Sequence, residues 1–455
     1  MDPLKLANST ELQRTARKLI RSRNLTEQSD RRALNDVSST LFTAYLHLQE
    51  YPVEVSRALL PLIYDLTTKQ WGAGSIRHTT LNLHSRGISA NRLALQAMAA
   101  ARRANDFNLA RDIIADLNEL EPNDLVVSLF LAQSEAALGN FQRLKDLSYT
   151  TRQNTALSPW LINEWVKLTQ NNLLIDEARR WIELSDDEAA VTLADRRIAS
   201  FETADPSFSI EANVISLDRD TRRWALADHY LKSGGAVPIR RRAVDGMELP
   251  DYSLAHLGAS TEVARTHGAG AIAVALSHIR VLEEFLSTSQ ERIFVAEDDA
   301  APYFHFSYFK QILNETLDID FLWVNERMSL QYTTPDPCSL KLCNPWEILS
   351  ARNNRVLGLG ADGYIVNREG AAKLLENFNE DKILGHIDGQ FAAYSENVDD
   401  SPAITRSQVA VKSLRTQLTS HRPIFDKALS IPMVWANDHG SSNNIVISDI
   451  RRQNH

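Results

Sequence analysis

The segment IFVAEDDAAP, residues 293–302, sets three consecutive carboxylates, Glu297, Asp298 and Asp299, directly after an apolar run. Ile, Phe and Val together predict a buried strand, and open α/β sheets bind their ligands at the carboxyl ends of strands. Three adjacent acids repel one another and gain nothing from clustering unless they share a cation or a polyol. Hard divalent ions that also hold a substrate phosphate are bound by one or two such carboxylates. These residue types therefore point to metal–diphosphate chemistry. A solvated turn with an acid as helix N-cap is the simpler alternative that the same residues permit.

The elements that would position this turn follow a break at Pro206, where a charged stretch ends and strands begin to alternate with helices. EANVISLD (211–218) predicts a strand, followed by a helix from Thr221 to about Lys232, and AVPIRRRAVDG a second strand ending at Gly246. Residues 268–288 carry Ala, Leu and Val at helical spacing ahead of the RIFVAEDD strand. DFLWVNE (320–326) and LGLGADGYIVN (357–367) predict two more strands, the latter leading into a helix over REGAAKLLENF. Such alternation implies an α/β domain with a mainly parallel sheet.

The chain has 455 residues, 44% hydrophobic and 24% charged, with a formal charge of −9. That length implies more than one domain, and that charge leaves no broad basic surface for nucleic acid. Local basic runs remain, notably Arg102-Arg103 and Arg240-Arg241-Arg242, and the second of these could meet phosphates. Cys338 and Cys343, in a proline-rich loop, lack the second half of a zinc site. Two reduced thiols are expected there, a single loop disulfide being the alternative. The N-terminal segment is charged and amphipathic, without the apolar centre of a signal peptide. No run of about 18 apolar residues occurs. A cytoplasmic protein without a membrane span is expected, with any contact at the inner membrane peripheral.

The first 200 residues read as helical and weakly repetitive. Phe107, Phe141 and Ile175 are spaced by 34 residues, as are Ala110, Leu144 and Ala178. That period is the tetratricopeptide length, and Pro122 sits where such a repeat closes its second helix. Stacked repeats leave a concave face that docks a protein partner or serves as a spacer. The expected domains are thus a tetratricopeptide-like helical one over 1–205 and an α/β one over 206–455.

The order of motifs is more specific than any one of them. VISLDRDTRR is followed by a strand ending AVDG, then GAGAIAVALSHIRVLEEF, VAEDDA, GLGADGYIVNREGAAKLL and HIDGQ. Over residues 211–450 this series resembles glycosyltransferase family 25, the lipooligosaccharide galactosyltransferases and their relatives. Val-Ala before the acids, Asn367 where many members have serine, and the loop 330–356 depart from the pattern. These departures put acceptor identity in doubt and leave the fold intact.

The resemblance implies a GT-A-like nucleotide-sugar fold and inverting transfer of a hexose, galactose by family tendency, from a UDP-sugar (UDP-galactose or UDP-glucose). The acceptor would be a saccharide or lipid-linked saccharide of a bacterial surface polymer. Charge builds on the leaving diphosphate, so a cation there lowers the barrier. Glu297 and Asp299 resemble the metal carboxylates of that fold, with manganese the expected ion, His439 a further ligand, and Asp298 reaching toward sugar or ribose. Arg219 and Arg223 would pair with the diphosphate, while Arg222 is expected to face solvent. Asp245 would hold a base or ribose hydroxyl, beside a backbone turn that Gly246 permits. Ser277 and His278 would touch phosphate or sugar, a satisfied core histidine being the plainer reading. Asp388 is the expected general base or merely an N-cap, and Asp362 is the second candidate, beside Gly358, Gly360 and Gly363. The rival reading is a repeat-containing binding scaffold with a degenerate, inactive transferase domain.

Overall fold

The computed structural model describes residues 2–22, 27–154, 157–249, 268–325, 342, 360–395, 406–419, 424–425 and 427–436. Cys338, Cys343, Gly358 and His439 lie outside them. Two compact units divide the chain, one holding Met1–Leu161 and the other Ile162–Asp438. No helix among the described residues is long and apolar enough to cross a membrane.

The first unit is helical throughout its described residues. Local chemistry sets its helix ends: Asp106 caps Phe107–Leu120 by accepting the Leu109 amide, and Asp124 caps Leu125–Ala137 through the Val126 and Val127 amides. The 34-residue spacing marks helix starts, because Phe107, Phe141 and Ile175 each begin a helix. Ala110, Leu144 and Ala178 are buried. A second feature keeps the same period. Asn105, Gly139 and Leu173 all have positive φ, and the next amide returns to a carbonyl five residues back: Asp106 to Ala101, Asn140 to Glu135, Leu174 to Thr169. This is the Schellman closure of a helix.

The second unit opens within the helix Pro159–Asn171 and continues with Ile175–Ile182 and Glu188–Glu202, and in it Trp165 stacks on Trp181 with centroids 5.3 Å apart. Arg197 donates to the Pro302 carbonyl at 3.2 Å and lies over the Tyr303 ring, and the Ser200 hydroxyl accepts the His305 amide. Pro206 therefore marks where strands begin, while the compact unit itself starts at Ile162.

Seven strands follow: β1 Ile210–Ser216, β2 Ala236–Arg242, β3 Arg292–Glu297, β4 Ala300–Pro302, β5 Phe321–Asn325, β6 Gly363–Asn367 and β7 Ala428–Ala436. They form one sheet in the order β2-β1-β3-β6-β5-β7-β4. Pro238 is tolerated because β2 is an edge, and the other edge, β4, is short and ends in Pro302. The expectation of a mainly parallel sheet is corrected. β1 pairs in parallel with β2 and β3, and β5 with β7, but β6 runs antiparallel to β3 and β5, and β4 to β7. Residue patterns mark strands without giving direction.

Strand parity builds a core on each face. Ile293, Val295, Phe321, Trp323, Tyr364 and Val366 pack with Ile272, Leu282 and Phe285 of the helix Gly268–Leu286. Phe294, Ala296, Leu322 and Ile365 pack on the opposite face with Ala227 and Leu231 of the helix Thr221–Ser233.

Candidate active site

Parity decides where the acids of 297–299 point. Glu297 continues the Ile293–Val295 face and meets the Gly268–Leu286 helix, where His278 Nε2 lies 3.1 Å from its Oε1. Asp298 continues the other face and meets the Thr221–Ser233 helix, where Arg223 Nη2 lies 2.5 Å from its Oδ1 and 3.4 Å from Asp299 Oδ2. Arg223 stands four and eight residues before the buried Ala227 and Leu231, so it shares their face.

The His278 ring is fully buried, and its Nδ1 lies 3.1 Å from the Tyr364 hydroxyl. Burial pushes its pKa down to about 4, against the opposing charges of Asp388 and Asp362. The ring is thus neutral at ordinary pH. An ionised Glu297 only accepts, so Nε2 carries the proton and Nδ1 accepts from Tyr364. The same burial, reinforced by Glu297, raises the Tyr364 pKa well above its ordinary value.

Asp299 has an unusual environment. Its side chain retains 19% exposure, yet its Oδ1 is covered and has no hydrogen-bond partner. Its pKa is raised well above the ordinary carboxylate value by burial, then by Asp362 and Glu297, with Arg223 opposing. Asp298 is also raised by burial, opposed by Arg223 and a hydrogen bond from Ser216. For Arg223, burial is outweighed by Asp299, Asp298, Asp220 and Glu297, which hold its pKa above the usual value.

β6 brings two further acids to this end of the sheet. The Glu297 amide donates to the Asp362 carbonyl at 3.0 Å, and the buried Asp362 carboxylate accepts from Asn325 Nδ2. Asp388, second residue of the helix Ile387–Ser395, accepts the Ala361 amide at 3.0 Å. Asp388 and Asp362 therefore flank one short segment preceding β6.

The other expected donor-site residues gather beyond β1 and β2. Arg219 and Asp245 form an ion pair. Ser277 accepts the Val244 amide at 2.8 Å and donates to the Ala273 carbonyl at 2.7 Å, so its hydroxyl anchors the 244–246 segment to the helix. Gly246 eases a close approach: a Cβ there would lie 3.0 Å from Gly270 Cα and 3.1 Å from the Ala269 carbonyl, a tight fit against backbone. Arg222 is half-buried, with its pKa lowered by burial, and the expectation of a solvent-facing side chain is corrected. Arg240 donates to the Leu217 carbonyl at 2.7 Å and lies over the Trp224 ring.

Three residues were missed by sequence reasoning: Ser216, Asn325 and Tyr364. Ser216 and Asn325 are buried polar residues closing apolar strands, which was the available signal. Tyr364 was visible only as part of a motif. Among the described residues no three His, Cys, Asp or Glu side chains group as a metal-binding set. The donor chemistry suits a hard cation all the same, since the unpartnered Asp299 oxygen stands among Glu297, Asp298 and Asp362.

Residues 210–388 match the family model of glycosyltransferase family 25 (LPS biosynthesis protein). The match ends at Asp388, short of the 211–450 suggested by the motifs. No curated protein matches the chain. Over residues 210–388 the α/β domain is similar to glycosyltransferase family 25, described as LPS-biosynthesis proteins.

Proposed function

We propose that the α/β domain transfers a hexose, galactose by family tendency, from a UDP-sugar to a saccharide acceptor of a surface polysaccharide, with inversion and on a GT-A-like fold. The observation that carries this reading is Asp299, whose buried Oδ1 lacks a partner while burial, and after it the neighbouring carboxylates, raise its pKa. A carboxylate held in that state gains most from an added positive charge. Glu297 and Asp299 would hold the cation, manganese in our reading, with His439 as a further ligand. That ion supplies positive charge to the leaving diphosphate.

The protein residues have distinct tasks. Arg223, charged throughout the ordinary pH range, would swing from Asp298 and Asp299 to the diphosphate, joined by Arg219 from its pair with Asp245. Asp298 would then accept from a sugar or ribose hydroxyl. In the transfer the acceptor hydroxyl gives its proton to a carboxylate and its oxygen bonds to the anomeric carbon. The bond from that carbon to the diphosphate breaks, and the nucleoside diphosphate leaves. Asp388 is favoured as the base, because it is half-buried, whereas Asp362 is buried and held by Asn325. The tetratricopeptide-like helices would bind a protein partner that brings the acceptor, and contact with a lipid-linked acceptor would be peripheral.

Calorimetric titration with UDP and UDP-sugars, with and without manganese, tests this reading. Manganese-dependent binding that disappears in Asp299→Ala is the expected result. No binding to either protein would instead favour the inactive scaffold.

A further inference from the structure

A second cluster of charged groups lies in the helical unit and takes no part in the chemistry above. Asp65, on the helix Val53–Trp71, is buried, and both its oxygens are taken by arginines. Arg21 reaches Oδ2 through Nη2 at 2.9 Å and Nε at 3.2 Å, and Arg103 reaches Oδ1 through Nη2 at 2.7 Å. Arg17 stands one helical turn before Arg21 on the helix Thr10–Arg21 and bears on the same cluster, lowering the Arg103 pKa as Arg21 does. Its Nε is buried without a partner, and it forms no ion pair among the described residues.

Three guanidiniums thus converge where one carboxylate needs at most two. The third adds repulsion and leaves a covered donor unsatisfied, which folding alone does not favour. In a chain of net charge −9, the excess of positive charge at one place is local. Arg21 and Arg103 retain 49% and 29% side-chain exposure, so a ligand can reach the cluster. Guanidinium forks match the spacing of phosphate oxygens.

We infer that Arg17, Arg21 and Arg103, held around Asp65, form a binding site for a phosphate-bearing ligand on the helical unit. Asp65 orients two of the forks and Arg17 supplies the uncommitted donor. The phosphate is borne either by a soluble molecule or by a lipid headgroup. The site is independent of the transferase reading.

Hydrogen exchange on the full chain tests it, with inorganic pyrophosphate in one arm and phosphatidylcholine vesicles containing phosphatidic acid in the other. The readout is confined to Thr10–Arg21 and Ala90–Arg103, so binding in the α/β domain is separately visible. Exchange slowed at least twofold in these helices by pyrophosphate, and lost in Arg17→Gln, supports the site with a soluble ligand. The same pattern with vesicles alone supports it with a lipid-borne one. Without ligand Arg17→Gln should exchange no faster than the wild type, because it removes a repulsion and an unsatisfied Nε, and Arg17→Lys should restore part of the ligand's protection. No slowing in either arm, or slowing undiminished in Arg17→Gln, overturns the inference.

Discussion

His278 Nε2 and Glu297 Oε1 lie 3.1 Å apart across the seam between a helix and the end of β3, with the ring's other nitrogen at the Tyr364 hydroxyl. Tyr364, His278 and Glu297 form a chain in which each partner fixes the next. The buried neutral imidazole donates to Glu297 and so fixes the direction of that carboxylate. His278 is a positioning residue in this arrangement. Partners of this kind typically account for 10- to 100-fold in affinity or activity. His278→Gln should lower kcat by roughly that factor, and Tyr364→Phe by less, because the imidazole keeps its bond to Glu297. Turnover of a UDP-sugar, beside melting curves that confirm folding, measures both. Equal turnover in His278→Gln and wild type would remove the positioning role.

Arg223 serves stability and ligand binding at once, and the two can be separated. Arg223→Gln leaves Asp298 and Asp299 without their main compensation. Since Arg223 keeps about a third of its side-chain surface, the cost should be about 2 kcal/mol, below that of a fully buried pair. Adding Asp298→Asn removes the nearer of the two uncompensated carboxylates and should restore part of the melting temperature. Donor binding should stay lost in the double variant, because the diphosphate still lacks its guanidinium. A double variant that recovers both properties would show Arg223 to be structural alone.

How much of this was legible in the sequence differs by element. β1, β3 and β5 could be read because each is a short apolar run closed by polar residues, and the acidic turn announced itself by residue type. β4 could not, since Ala300–Pro302 is too short to carry a pattern. β7 was hidden by Pro432, and the pairing with β5 shifts register there, from Trp323 opposite Ser430 to Asn325 opposite Val434. A proline cannot supply a ladder amide, so the irregularity absorbs it. Asn325 and Ser216 belong to the site only because β6 and β3 arrive from distant parts of the chain. Local spacing contains no such information.

Gly370 was read as part of a motif, and the structure supplies its physical reason. A Cβ at this position would come within 2.9 Å of the Asp320 carbonyl carbon and closer still to its oxygen. The Gly370 amide meanwhile donates to the Asn367 cap at 2.7 Å. The obstacle is backbone, which cannot swing aside like a long side chain. Gly370→Ala should therefore push the helix Arg368–Asp381 off β5 and cost on the order of 2–3 kcal/mol, as overpacking does. Chemical denaturation of the two proteins checks this, and a loss below half a kcal/mol would mean the helix moves freely.

His305 gives the fold a pH dependence of predictable sign. Its Nδ1 accepts the Ser307 amide at 3.3 Å, capping the short turn Phe306–Phe309, and only an unprotonated nitrogen can accept. Burial lowers its pKa below the ordinary histidine value, against the opposing charge of Asp205. The unfolded chain therefore takes up the proton first as pH falls. The stabilisation is complete above the ordinary histidine pKa and is lost as pH falls toward the folded value. His305→Asn keeps an acceptor that does not titrate. Between pH 7.5 and 5.5 the wild type should lose more melting temperature than this variant. Parallel losses would show that His305 contributes nothing to the slope.

The three helix closures at Asn105, Gly139 and Leu173 form an internal series, one conformation carried by three residue types. Their φ values are 58°, 77° and 55°. Glycine takes this region without penalty and asparagine with little, whereas a leucine is strained there by about 1–2 kcal/mol. Leu173→Gly removes that strain but frees the unfolded chain, which offsets roughly half of it. A net gain of about 0.5 kcal/mol follows, worth one or two degrees in melting temperature. Gly139→Leu introduces the same strain and should cost about 1–2 kcal/mol. Opposite signs in the two variants are the expected outcome, because the same turn is strained at one position and relaxed at the other. Variants that shift stability in the same direction would contradict a shared left-handed closure.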